Sequence, residues 1–318
     1  MRPVSLPEVA YGATAVRPDW DDLPLALRAA IEDRLGARVT ASTTAGGGFT
    51  RAFAGVVEMP AGRRAFLKAA PLNDPNADAY AREAAVTAVL PPEVPAPRLR
   101  WTLIAADHFV LCLDAVDGRV PSLPWRPAEL TAVLQSWRVA ADALAASPMS
   151  GLPRMSDIVR AELSWWSEIA AGRAPLPPGP RWVGARLDDL AELERGLPPL
   201  VAGTGMLHGD LRMDNTMIDG YGHGWLCDWT WPCLGAPWFD TVTLLVTAYA
   251  SGLDVDLLLE PWGAPDAGVD GVLAAMGGYW LTRAAGGPSS ASPHSRQHQR
   301  FSGEQALAWL ASRRGWKV

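Results

Sequence analysis

The chain changes character once, near residue 115, and that change limits what it can fold into. Before it, short runs rich in Thr, Val and other apolar residues are separated by glycine and proline. After it, apolar residues recur at helical spacing. The first pattern predicts strands over 38–45, 50–59, 65–70, 99–105 and 109–113, with turns at 46–48, 60–62 and Asp107. Helices are expected over 21–35 and over 78–90, with Asp78 near the start of the latter. Residues 1–20 read as an irregular lead-in, and 114–119 as a polar link. The second pattern predicts helices over 127–147, 155–172, 185–201, 237–252, 269–285 and 302–314. A strand-like stretch at 216–228 interrupts them, and loops are expected at 175–180 and 286–293, the latter of flexible composition. The expectation is an α+β chain in two unequal parts: 1–113, built on a sheet, and 114–318, mostly helical.

Composition excludes several classes. Hydrophobic residues make up 49% and charged residues 19%, which is globular rather than disordered. No apolar run approaches the roughly 20 residues of a membrane span, and the first residues lack the apolar core of a signal peptide, so a cytoplasmic protein is expected. A net charge of −6 without a basic stripe argues against nucleic acid as a partner. Cys112, Cys227 and Cys233 have no zinc spacing and read as reduced, small apolar residues.

The chemistry concentrates in His208-Gly209-Asp210-Leu211-Arg212-Met213-Asp214-Asn215, followed by Cys227-Asp228-Trp229. Phosphoryl transfer to a hydroxyl needs few protein groups: a carboxylate to orient the attacking hydroxyl and take its proton, and hard oxygens to hold Mg²⁺ against the phosphates. An Asp and an Asn on one tight loop, plus an Asp after a following strand, supply such a set.

This spacing resembles the protein-kinase catalytic loop, in which an Asn follows the catalytic Asp by five residues, as Asn215 follows Asp210. The His-Gly-Asp form, followed by Asp228-Trp229, Gly235 and Asp240, resembles the aminoglycoside phosphotransferase and choline kinase family. The resemblance implies a protein-kinase-like two-lobed fold with a small antiparallel-sheet lobe. It implies Asp210 as catalytic base, Asn215 and Asp228 as Mg²⁺ ligands, His208 as a brace and Asp240 as an anchor behind the loop. Arg212 stands where protein kinases place a lysine that touches the transferring phosphate.

Lys68 adds support from far away in sequence. Only two of the 28 basic residues are lysines, Lys68 and Lys317. A chain that uses arginine for generic positive charge has placed a lysine inside an apolar strand, where it is costly unless paired. Glu83 lies in the following predicted helix. In kinases such a lysine contacts phosphates and pairs with a helical glutamate. Upstream, Gly46, Gly47, Gly48 and Thr50 form a glycine turn whose backbone N–H groups suit phosphates. It is not a Walker A loop, because no Gly-Lys-Ser/Thr follows.

The expected partners are therefore ATP or GTP with Mg²⁺, the base hydrogen-bonding to backbone near 112–115, and a small hydroxyl acceptor. Asp214 and Trp231, with Trp229 and Trp238, are the acceptor-side candidates near the loop. Asp254, Asp256, Glu260, Asp266 and Asp270 favour a cationic acceptor such as an aminoglycoside; the arginines of 281–318 favour a neutral or anionic one. A non-aminoglycoside natural product or a small metabolite fits best. A protein kinase is disfavoured by Asp-Trp in place of Asp-Phe-Gly. A catalytically inactive nucleotide-binding module is disfavoured because every group the chemistry needs is present.

Overall fold

The protein is described by a computed structural model covering residues 3–287 and 291–317. Helix α1 (Leu25–Leu35) precedes strands β1 (Ala41–Thr44), β2 (Phe53–Met59) and β3 (Arg63–Pro71). Helix α2 (Pro75–Thr87) follows, then β4 (Leu99–Ala105) and β5 (His108–Leu113). The five strands form one antiparallel sheet in the order β1-β2-β3-β5-β4. β3 lies at its centre, and its 65–70 stretch is apolar except for Lys68 because both faces are covered there. Ala65, Leu67 and Ala69 pack with Leu27, Ile31 and Leu35 of α1. Phe66 and Ala70 pack with Tyr80 and Ala84 of α2. Lys68 falls on the α2 side by the two-residue period of the strand.

The helix expected over 78–90 begins three residues earlier. The Asp74 carboxylate accepts from the Asn76 N–H, and Pro75 occupies the first helical position, where its missing N–H costs nothing. Between β4 and β5, Ala106 and Asp107 both take left-handed conformations, as a tight hairpin requires.

The helical part opens with β6 (Gly118–Arg119), α3 (Pro127–Ala143), α4 (Met155–Glu162), α5 (Trp165–Ala170) and α6 (Leu187–Leu200). Strands β7 (Gly205–Leu207), β8 (Thr216–Asp219), β9 (Gly224–Leu226) and β10 (Cys233–Gly235) form two small antiparallel sheets, β10-β7 and β6-β8-β9. Helices α7 (Trp238–Ala250), α8 (Val255–Leu259), α9 (Asp266–Ala285) and α10 (Ser295–Arg314) complete the chain.

Three expectations are corrected here. The helix expected over 155–172 is two helices. The buried Glu194 carboxylate of α6 accepts the N–H groups of Trp166 and Ser167 at 2.9 Å each, satisfying the start of a new helix from a distant element. α10 begins at Ser295 rather than 302, and α8 was not expected. Of the 286–293 loop expected to be flexible, residues 288–290 lie outside the described residues.

The lead-in has more structure than its sequence suggested. Tyr11–Ala13 forms a 3₁₀ turn with Tyr11 buried, and Trp20 is buried beside α1. Ser5 N–H donates to Ala250 O at 2.8 Å, while Ala15 N–H donates to Gly46 O at 2.9 Å, so the segment touches both the helical part and the sheet part. Among the described residues no helix is long and apolar enough to cross a membrane.

Candidate active site

β7 delivers His208, Gly209 and Asp210 to one point. A 3₁₀ turn over Met213–Asn215 brings the chain back into β8, and β9 returns it to Cys227 and Asp228. Gly209 has φ +77°, and a Cβ there would lie 1.9 Å from the Trp231 carbonyl oxygen. No side chain fits between His208 and Asp210.

The loop is held from behind by Asp240 in the first turn of α7. Its carboxylate is fully buried and accepts the His208 N–H at 2.7 Å and the Gly209 N–H at 3.2 Å. Burial pushes its pKa up to about 7, against the pull of those two donors. His208 is also fully buried, and burial pulls its imidazole down to about 4, so the ring is neutral at pH 7. Nε2 lies 2.9 Å from Cys227 O, and the Asp210 N–H points at Nδ1 across 3.4 Å. The tautomer protonated on Nε2 satisfies both contacts and ties the two motif segments together.

Asp210 accepts from Asn215 Nδ2 at 3.1 Å, and Arg212 Nε lies 3.4 Å from it. Burial raises its pKa to about 6; Arg212 opposes that rise, while Asp214 and Asp228 add to it. Arg212 also donates to Asp214 at 3.0 Å, and its guanidinium sits 5.5 Å above the Phe49 ring. Asp214 does not serve as an acceptor-side group: its side chain is fully buried against Arg212.

On the other side of the loop, Lys68 Nζ lies 2.6 Å from Glu83 and 3.4 Å from Asp228. Burial works against the ammonium, but Asp228 and Glu83 outweigh it and hold its pKa above the ordinary value. Burial likewise opposes the Asp228 carboxylate, but Lys68, the Thr230 hydroxyl and His208 hold it at about 2. Asp228 is in the left-handed region, φ 63°, at a cost on the order of 1 kcal/mol for a residue with a Cβ. Strain of this kind collects at functional sites.

The oxygens left over suit a hard cation. Asn215 commits its amide nitrogen to Asp210, at the backbone O (2.8 Å) and the carboxylate, so its Oδ1 takes no protein donor among the described residues. Asp228 binds Thr230 and Lys68 through Oδ1, leaving Oδ2. Two such ligands, completed by phosphate oxygens and water, are the usual protein share of a Mg²⁺ site.

The glycine turn lies against the lead-in. A Cβ at Gly46 would meet Gly12 O at 2.4 Å. Gly47 O accepts from Arg17 Nη2 at 2.9 Å, Gly48 O accepts from the Thr14 hydroxyl at 3.2 Å, and Thr50 faces Tyr80 of α2. Phe49 turns inward and meets His298 of α10 at 5.3 Å between ring centroids.

Beyond Asp210 opens a cavity of about 960 Å³, walled by α2, α4, α9, α10, the 149–155 segment and the 230–233 segment. Gly209, Asp210, Arg212 and Trp231 line it; Lys68, Glu83 and Asp228 do not. Trp229 and Trp238 do not face an acceptor either, being buried in the core at 1% and 6% exposure. Tyr11, Phe49, Trp280 and His298 also line it, and sequence reasoning missed them. Phe49 sits within the glycine turn and was within reach of that reasoning. Tyr11 lies in a segment without periodicity and left no signal.

The acidic residues weighed for a cationic acceptor lie elsewhere. Arg313 bonds to Asp256, to Asp266 at 2.8 Å and to Asp270 at 2.7 Å, and Arg314 reaches Asp270 at 3.3 Å. Part of the acidic stretch and part of the basic tail thus neutralise each other.

The sequence model of the phosphotransferase enzyme family (APH) matches residues 56–271. No curated protein sequence matches the chain significantly. Among solved structures, the chain is similar to a thermostable mutant of the aminoglycoside phosphotransferase APH(4)-Ia in a ternary complex with AMP-PNP and hygromycin B. The TM-score is 0.63 at 15% identity, over 91% of this chain and 99% of that one. It is similar to a choline/ethanolamine kinase family protein from Mesorhizobium loti, with TM-score 0.61 and 15% identity over 91% and 95% of the two chains. It is also similar to the choline kinase LicA from Streptococcus pneumoniae, with TM-score 0.60 and 12% identity over 90% and 99%. At these identities the likeness is one of fold, a kinase-like sheet lobe on a helical part.

Proposed function

This chain belongs to the phosphotransferase enzyme family, and from that premise we propose that it moves the γ-phosphoryl group of a magnesium-bound nucleoside triphosphate onto a hydroxyl of a small molecule. One observation carries the reading. Asp210 lines the cavity, while Lys68, Glu83 and Asp228 converge outside it. The catalytic loop therefore separates an acceptor side from a phosphate side. The AMP-PNP held by APH(4)-Ia supports a nucleotide as donor.

Lys68, held upright by Glu83, contacts the donor's phosphates. Asn215 Oδ1 and Asp228 would hold Mg²⁺, whose charge would offset that of the donor's phosphates. Arg212 points a second positive charge at the transferring group. Asp210 orients the acceptor hydroxyl for in-line attack on the γ-phosphorus. The acceptor oxygen bonds to phosphorus, the bond to the bridging oxygen breaks, and the hydroxyl proton passes to Asp210. The products are a phosphate monoester and a nucleoside diphosphate. The loose transition state needs little early deprotonation, so Asp210 acts mainly by orientation. His208 and Asp240 hold the loop in place.

The test is Asp210→Asn, which keeps the shape and removes the base. Acceptor phosphorylation, read as a gain of one phosphate by mass spectrometry, should fall by about 10²–10⁴, with nucleotide affinity little changed. Wild-type phosphorylation in this variant would remove Asp210 from the mechanism. A collapse of nucleotide binding would give it a structural or metal role instead.

A further inference from the structure

Resting on that phosphotransferase reading, we propose that the acceptor is a hydroxylated molecule with an apolar body and an anionic group such as a carboxylate, the anion held by Arg283 and Arg296 and the hydroxyl presented to Asp210. Most of the cavity wall is apolar, with Met155, Ile158, Met276 and Trp280 among its lining residues. Its charges are unbalanced. Apart from the Asp210–Arg212 pair, it is lined by Arg82, Arg283 and Arg296 against Glu162 alone.

Among the described residues none of these three guanidinium groups is paired with a carboxylate. Arg82 lies 4.9 Å over the Trp231 ring, and Arg283 lies 5.3 Å over the Tyr279 ring. Among the described residues Arg296 bonds to neutral oxygens, Gln299 Oε1 at 3.0 Å and Gly287 O at 3.2 Å. A guanidinium stacked on an aromatic face keeps its N–H edge free for a carboxylate. Arg296 is half-buried and Arg82 and Arg283 are exposed; positive charge without a counter-charge at the cavity attracts anions and repels cations. Arg313 shows the contrast, since its guanidinium already meets three aspartates. His298, the other basic side chain of the cavity, is pulled down by burial and stays neutral, so it does not alter the balance.

The experiment uses three probes that differ only at the end away from the hydroxyl: ω-hydroxydodecanoate, dodecanediol and ω-aminododecanol. Each is titrated calorimetrically into the full chain loaded with ADP and Mg²⁺, and each is offered as acceptor with ATP. The acid should bind at least about tenfold more tightly than the diol, and the amine more weakly than the diol. The R283Q/R296Q double variant, with its fold checked by circular dichroism, should bring the acid-to-diol ratio close to one. Equal or tighter binding of the amine overturns the acceptor assignment, as does an acid preference that survives the double variant, or a failure of all three probes to bind. The phosphotransferase reading stands through each of those results if nucleotide binds and any hydroxyl gains phosphate. It falls only if the wild-type chain binds no Mg²⁺-nucleotide.

Discussion

The protein contains two arginine–aspartate clusters, one on the loop around Asp210 and one where α8, α9 and α10 meet around Arg313. Both are built from the same residue types, and both are partly buried. They differ in what is left unspent. Around Arg313 three carboxylates converge on one guanidinium and Arg314 adds a second, so each carboxylate of the cluster already has an arginine donor. Around Asp210 the pairing is incomplete: Asn215 Oδ1 and one oxygen of Asp228 have no protein donor among the described residues, and Asp210 and Arg212 face a cavity. A saturated cluster fastens elements together. An unsaturated one, held rigid by Asp240 and His208, is ready to bind something else. Charge composition alone does not distinguish them.

Three changes probe this difference, beginning with the largest effect. Asp228→Ala removes one leftover oxygen and should reduce Mg²⁺-dependent transfer to background, while circular dichroism and thermal melting stay near wild type because Lys68 keeps Glu83. Turnover close to wild type would show that Asp228 is no metal ligand. Arg313→Ala should do the opposite. It takes the shared guanidinium from three aspartates, of which Asp256 and Asp266 are substantially exposed and so screened while the buried Asp270 keeps only Arg314, and should cost about 1–3 kcal/mol of stability in denaturant unfolding, with kcat unchanged. Loss of turnover without loss of stability would place the second cluster in the chemistry.

The smallest effect is a shift in pH dependence. Asp210 must be deprotonated to orient and accept, and burial raises its pKa to about 6. Activity should therefore fall as pH drops through about 6. Arg212 holds that pKa down against burial, so Arg212→Gln should move the acid limb upward, whatever it does to the maximal rate. The variant should regain at pH 8 activity that it lacks at pH 7. A kcat/KM profile with an unmoved limb would show that the pair observed at 3.4 Å does not set the charge of Asp210.

Much of the site was legible because short-range rules fix it. The 208–215 spacing closes a tight turn by itself, and the period of a strand places Lys68 on one face of the sheet. The order of strands and helices along the sheet part followed from alternating apolar runs and short turns, whereas the placing of β5 between β3 and β4 did not. The helix starts at Pro75 and Trp165 were misplaced for different reasons. Asp74 and Pro75 form a local cap signal that was available in the sequence. The Glu194 carboxylate that starts α5 comes from 28 residues away and has no local signature.

The sequence by itself determined the kinase-like order of elements and the identity of the groups proposed to meet phosphate and metal, because local periodicity and motif spacing are properties of neighbouring residues. Tertiary structure decided which of those groups stay free. It set Asp240 behind His208 and Gly209, buried Asp214 under Arg212, wedged Tyr11 beside the catalytic loop, and gave Arg313 its aspartates while leaving Arg283 and Arg296 without any. Each outcome depends on whether a buried polar group finds a partner on an element distant in the chain. Only the packing of the whole molecule settles that.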